Sequence, residues 1–343
     1  MKQYNLCFLG FGNVGRALAR LLVAKSAELR ELYGIEFRVT GVASRRIGWL
    51  LTSSGAEGSD GIDVTTLLSK TLISEQSSSS NNITDWLLAA RPDVVFETTS
   101  LNPNSGQPAI DYLRAVLQSG AHAITANKGV LVHGFRELNE LARSVEKRFL
   151  FESTVLDSAP VFSLFRETLP AVKLRGFSGL FSSTTNVIVE TMEAGRSFEE
   201  GLKTAQDLGV TETDPSHDID GWDSTVKVCA LANVLLNIPL KPDDVGREGI
   251  RELGPKKAQA ARAEGKPFKL VARAKLAENG KLAATVRPEQ IAPSDPLGNV
   301  RGTSLAVHFE LDMMPGLTIT SHRPNLQSTA YGLLADFINA VKT

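Results

Sequence analysis

The segment NLCFLGFGNVGRALARLL, starting at Asn5, restricts most severely what this chain can become. An apolar run that reads as a strand meets Gly10, Gly12 and Gly15 in GxGxxG spacing and continues as an amphipathic helix. In that setting Gly10 permits the tight turn, Gly12 lets a pyrophosphate approach the backbone, and Gly15 lets helix and strand pack closely. The free amides and positive dipole end at Asn13 and Val14 would then face the phosphates. A glycine turn in a nucleotide-free α/β domain is the alternative, and the repeated β/α pattern that follows argues against it.

Short apolar runs at 5–10, 36–44, 93–97, 121–125 and 148–152 alternate with helical patterns such as 14–32 and 108–119, as expected for a parallel sheet wrapped by helices. From Leu174 onward the runs LRGFSGLF, FKLVARAKL, LAATVRPEQ, SLAVHFEL and LTITS mix with long helices, an α+β pattern. The expected fold is therefore α/β: a Rossmann-type doubly wound parallel sheet followed by an α+β domain. A length of 343 residues suits two domains. The first is expected over 1–152 and is completed by a C-terminal helix within 325–343; the second covers 153–324, with a hinge near 153–160. The segment SEQSSSSNN, 74–82, reads as a solvated loop.

Composition removes several functional classes. Lys+Arg 37 against Asp+Glu 38 offers no electrostatic footprint for nucleic acid or an anionic membrane. No stretch has the length of a membrane span and the first residues do not form a signal peptide, so a cytoplasmic enzyme is expected. Cys7 and Cys229 sit in apolar runs as structural thiols, and neither belongs to a metal motif.

Two further clusters carry chemistry. An NAD-preferring site usually ends its second strand on an acidic residue, whereas this chain reads VTGVASRRIG. Ser44 can bond a 2′-phosphate and Arg45 or Arg46 can neutralise it, so NADP is favoured, with NAD possible. The run TETDPSHDIDGWDSTVKVCALANVLL sets Glu212, Asp214, Asp218, Asp220 and Asp223 just before an apolar helix. Asp223 and Lys227 are spaced i,i+4 on one face. Burial disfavours the ammonium while Asp223 favours it, so Lys227 can give or take a proton; a structural ion pair satisfies the same spacing. Lys128, in ITANKGVL, follows a strand end at the edge where α/β sheets bind ligands.

Together GFGNVGRAL, DVVFETTS, SGAHAITANKGVL, FEST, the STTN turn at 183–186 and ETDPSHDIDGWDSTVK resemble the homoserine dehydrogenase family. The resemblance implies interconversion of aspartate 4-semialdehyde and homoserine with NAD(P), a step toward threonine, methionine and isoleucine. Lys227 would be the proton donor, Asp223 its orienting partner and Lys128 a neighbour of the reacting oxygen. Glu212 and Asp218 would bind the substrate ammonium, Thr184 the substrate, and Thr99 and Ser100 would approach the nicotinamide. The resemblance also implies a monovalent cation, usually sodium, on a segment beginning at Glu152 and Val155, and a homodimer formed through the second domain. Ser183 stands where the family has glycine, and SHRPN replaces a glycine-rich loop before the last helix. The alternatives are a dehydrogenase of another amino-acid-derived substrate and a non-catalytic nucleotide-binding paralogue.

Overall fold

The computed structural model describes residues 1–52, 61–69, 82–211 and 214–342. Of the polar segment at 74–82, only Asn82 falls among them, and Glu212 lies outside them. The chain forms two compact units, Met1–Ser158 with Leu326–Thr343, and Ala159–Asn325.

The first unit is built on a six-stranded sheet of order β3-β2-β1-β4-β5-β6. Its strands are β1 (Lys2–Leu9), β2 (Ile35–Ser44), β3 (Gly48–Leu51), β4 (Val94–Glu97), β5 (His122–Thr125) and β6 (Phe149–Leu150). All pairs are parallel except β2 with β3. The chain passes from β1 to β2 on one side and to β4 on the other, so the sheet reverses direction between β1 and β4. A doubly wound sheet opens its ligand crevice at such a point.

Three local expectations change. After the strand expected at 36–44 the chain turns back at Gly48 into β3, an antiparallel edge strand outside those expected. The helix expected over 14–32 is two helices, Asn13–Ala24 and Ser26–Tyr33, because Lys25 leaves helical geometry at φ −100, ψ 8. The run 148–152 gives only the short β6, since Glu152 already begins a 3₁₀ turn.

The core of this unit gathers Leu6, Phe8, Leu18, Phe96, Ile124 and Leu150 from strands and first helix. Ala330, Leu333, Leu334, Phe337 and Ala340 join it from the helix Leu326–Val341. Phe337 meets Tyr4 and Phe96 edge-on, with ring centroids 6.0 Å apart in each case. Burying a side chain of this size stabilises by about 1.5–3 kcal/mol, so the C-terminal helix is a principal part of this core.

The second unit has a six-stranded sheet of order β12-β11-β7-β9-β10-β8. Its strands are β7 (Leu174–Leu180), β8 (Gly246–Arg247), β9 (Phe268–Leu276), β10 (Leu282–Gln290), β11 (Leu305–Leu311) and β12 (Leu317–Ser321). Pairing is antiparallel except between β8 and β10, and the two-residue β8 carried no sequence pattern to announce it. The helices Ser183–Glu193, Trp222–Leu231 and Pro255–Ala263 pack on β9. Among them the buried Lys269 pairs through Nζ with Oε1 of the half-buried Glu190 at 3.0 Å, and the other Glu190 oxygen accepts the Gly302 amide at 2.9 Å.

Candidate active site

In the first unit the glycine loop lies at the carboxyl end of β1. Gly10 has φ +89, and a Cβ there would lie 2.5 Å from Thr98 O. A Cβ on Gly15 would come within 2.8 Å of Gly10 O. Gly12 differs, since a Cβ built on it meets nothing within 4 Å. The protein's own packing therefore leaves room at Gly12, on the side where a ligand backbone would pass. Gly12 is the N-cap of the helix Asn13–Ala24, and no side chain caps it. The first amides of a helix lack intrahelical acceptors and carry the positive end of its dipole, which is the chemistry that holds a pyrophosphate.

The end of β4 links the loops around this crevice. The Thr98 amide donates to Leu9 O at 2.7 Å and its hydroxyl to Gly10 O at 2.9 Å, fastening the segment to the glycine loop. The Thr99 amide donates to Glu97 Oε1 at 2.7 Å. Arg45 Nη2 donates to Ser100 Oγ at 3.2 Å, joining the β2–β3 turn to the same segment. Ser44 Oγ accepts the Ile47 amide at 3.1 Å and so closes that turn while keeping its own proton to donate. Lys128 opens the helix Lys128–His133 after β5, and Asn127 caps it through a bond from the Gly129 amide at 3.1 Å. Asn127 Nδ2 is buried without a hydrogen-bond partner among the described residues. A vacant steric position at Gly12 and uncapped helical amides both fit a bound dinucleotide.

In the second unit the helix Trp222–Leu231 carries Asp223 and Lys227 as an i,i+4 ion pair, Nζ to Oδ2 at 2.8 Å. Lys227 also donates to Phe181 O at 2.6 Å, and its side chain is 12% exposed against 20% for Asp223. The ammonium thus has two fixed acceptors and a narrow opening to solvent. Asp218 lies on the preceding short helix Ser216–Ile219. Its Oδ1 accepts from Ser182 Oγ at 2.9 Å, and the Thr184 hydroxyl lies 3.1 Å from Oδ2 and 2.8 Å from Val210 O. Burial, and after it the Asp223 carboxylate, raise Asp218 above the usual carboxylate range, opposed by Lys227 and the two hydroxyls. A carboxylate raised in this way favours the arrival of a cation that restores its ionised form.

The STTN segment is not a turn but the first turn of the helix Ser183–Glu193, with Ser182 as N-cap accepting the Thr185 amide. Ser183 donates to Thr303 O at 2.7 Å, so the hydroxyl that replaces glycine is used in packing. His322 and Arg323 are exposed.

Glu152 and Val155 are both buried in the first unit. The Glu152 amide donates to Asp336 Oδ2, the Ser153 hydroxyl to Thr329 O, and the Thr329 hydroxyl to Asp157 Oδ1, each at 2.7 Å. Among the described residues no three His, Cys, Asp or Glu side chains cluster as a metal site. A cation here would rest on backbone carbonyls, a donor set that suits a single charge.

The sequence did not single out Glu97, Thr98, Thr125, Ser182 or the Phe181 carbonyl. Ser182 had a readable signal, a serine just before a helical pattern. The others act through register, which becomes visible only once strands are paired.

A dinucleotide crevice in one unit and, in the other, a lysine held by a carboxylate and a backbone carbonyl supply groups for hydride and proton transfer, and the class they define is that of NAD(P)-dependent oxidoreductases. Residues 10–152 match the family model for the homoserine dehydrogenase NAD-binding domain, and residues 160–338 match that for homoserine dehydrogenase. The chain belongs to the homoserine dehydrogenase family. It is 30% identical to an NAD(+)-dependent homoserine dehydrogenase of Pseudomonas canavaninivorans, over 99% of this chain and 96% of that protein. It is also 30% identical to a homoserine dehydrogenase of Methanocaldococcus jannaschii, over 98% of each. The crystal structure of a homoserine dehydrogenase from Thiobacillus denitrificans superposes with TM-score 0.83 at 26% identity, covering 100% of this chain and 74% of that one. Among the described residues no helix is long and apolar enough to cross a membrane.

Proposed function

We propose that this enzyme interconverts L-homoserine and L-aspartate 4-semialdehyde, with NADP preferred over NAD and Lys227 as the acid/base group. The observation that carries the reading is Lys227 itself, held by Asp223 Oδ2 at 2.8 Å and Phe181 O at 2.6 Å, with the half-buried Asp218 near enough to feel its charge. A bound NAD(P) supplies hydride exchange at the nicotinamide ring. Lys227 as an amine takes the hydroxyl proton during oxidation, and as an ammonium returns it to the aldehyde oxygen during reduction. Asp223 and the Phe181 carbonyl fix its direction. Asp218, braced by Ser182 and Thr184, receives the substrate ammonium together with Glu212, and Thr184 lines the substrate side.

Gly10, Gly12, Asn13, Val14 and Gly15 hold the pyrophosphate, Thr99 and Ser100 border the nicotinamide, and Lys128 stands by the reacting oxygen. The preference for NADP rests on Ser44 and Arg45 in the β2–β3 turn, where no carboxylate ends β2. A singly charged cation on the carbonyls of Glu152 and Val155 would stiffen the segment that follows β6. The protein acts as a homodimer through its second unit.

The test is a steady-state assay with L-homoserine and each dinucleotide in turn, in wild type and Lys227→Ala. Turnover is expected with NADP ahead of NAD, and the variant should lose about 10²–10⁴-fold in kcat while still binding the dinucleotide. Tight dinucleotide binding without turnover of homoserine would refute the reading, and a higher kcat/KM with NAD would reverse the cofactor assignment.

A further inference from the structure

The dinucleotide unit contains a fully buried carboxylate to which the chemistry above gives no work. Glu97 ends β4 and is 0% exposed. Taking a carboxylate out of water costs several kcal/mol unless its lone pairs are satisfied, so its partners show what it is kept for. They come from the segment after β4 and from the end of β5. Oε1 accepts the amide and the hydroxyl of Thr99, and Oε2 accepts the Thr125 hydroxyl at 2.5 Å. The relay then continues, because Thr125 Oγ1 accepts the Asn127 amide at 2.9 Å and Asn127 Oδ1 accepts the Gly129 amide. Lys128 lies between those two capped residues. An ionised carboxylate accepts only, at about four lone-pair positions, which is what three converging donors need; a glutamine would turn one of its ends into a donor. β4 and β5 are adjacent parallel strands with Glu97 opposite Thr125, so the register itself places the carboxylate beneath both strand ends.

We infer that Glu97 is a positioning residue for Lys128, acting through Thr125 and Asn127, and that it locks the Lys128 loop to the Thr99 segment that borders the nicotinamide. This inference rests on the reading of Lys128 as a neighbour of the reacting oxygen. Thr125→Val cuts only the branch toward Lys128, and Glu97→Met removes both branches at nearly constant volume.

The experiment combines amide hydrogen exchange over residues 125–130 in the ligand-free protein, the dinucleotide Kd from nicotinamide fluorescence, and kcat, each in wild-type and Lys128→Ala backgrounds. Both variants should speed exchange of that segment about tenfold, as expected when a buried network loses a member. Each should lower kcat about tenfold, since misplacing a group by about 1 Å can cost up to 10²-fold. Thr125→Val should leave the Kd within about threefold of wild type and should not lower kcat further once Lys128 is alanine, whereas Glu97→Met, which also frees the Thr99 segment, should raise the Kd in both backgrounds.

Equal losses from Thr125→Val in both backgrounds would mark a general structural effect and overturn the inference. So would a neutral Lys128→Ala, with homoserine turnover itself intact. If the wild-type protein does not turn over homoserine, the functional reading fails by itself. The exchange measurement still decides the relay, and unchanged exchange in both variants overturns it.

Discussion

Replacing Gly12 with alanine separates what the glycine loop does for the fold from what it does for a ligand. A methyl group at Gly12 meets nothing within 4 Å, and the residue sits at φ −82, ψ −152, which alanine also adopts. Stability should hold, or rise by about 0.4–1 kcal/mol through the smaller conformational freedom of the unfolded chain. The added methyl occupies the space through which a pyrophosphate reaches the first helical amides. Loss of one charge-assisted hydrogen bond costs about 1.5–3 kcal/mol, which corresponds to a Kd raised about 10–150-fold.

Gly10→Ala is the control with the opposite pattern. It forces a side chain to φ +89 and to 2.5 Å from Thr98 O. The backbone term is about 1–2 kcal/mol and overpacking adds about 1–3, so unfolding by urea should show a loss of about 2–5 kcal/mol. The assays are urea unfolding and a fluorescence titration with NADPH for each variant. Wild-type dinucleotide affinity in Gly12→Ala would refute the idea that the room beside Gly12 is kept for a ligand, and so would destabilisation as large as that of Gly10→Ala.

Two further outcomes concern stability. Burial and the nearby Lys147 and Arg148 cations push the His122 imidazole down to about 4, while its Nδ1 accepts the Arg148 amide at 2.9 Å. The unfolded chain takes up this proton near pH 6.5 and the folded chain refuses it until about pH 4, so stability is full above the unfolded value and falls as the pH drops between the two. Because the ring is partly exposed, the loss attributable to it is only about 1–2 kcal/mol after solvent screening; His122→Asn, which keeps an acceptor, should flatten that part of the acid limb in urea unfolding, and an unchanged limb would rule the group out. Lys269→Met should cost about 1–3 kcal/mol by leaving the half-buried Glu190 without its cation, and the double variant Lys269→Met with Glu190→Leu should recover part of it; a loss under about 0.5 kcal/mol in the single variant would show that Gly302 alone satisfies Glu190.

Much of the architecture is legible in the chain because it is written in periodicity and in glycine spacing. The strands β1, β2, β4 and β5 and the five longer strands of the second unit are apolar runs of the right length. The Asp223–Lys227 pair follows from helical spacing alone. Where the sequence falls short, the cause lies in long-range geometry or in two-residue elements. The two-residue β8 is too short and too polar for periodicity to mark, and β3, four residues long like β4 and β5, is defined as an edge strand only by its pairing with β2. The break at Lys25 has no glycine or proline to announce it. Glu97 reads as the polar end of an apolar run, and its importance depends on Thr125 lying beside it on the next strand, nearly thirty residues later. Ser182 and Asp218 likewise meet only because the strand β7 delivers one of them to the other.

The helix Leu326–Val341 completes the core of a unit whose strands all lie before residue 151. During synthesis at about 5–20 residues per second, the strands β1 to β6 emerge well before the helix that covers Tyr4 and Phe96. The whole second unit is made in between. For that interval the apolar surface awaiting Phe337 and Leu333 is open to water and to other nascent chains. The first unit to be translated is therefore the last that can close.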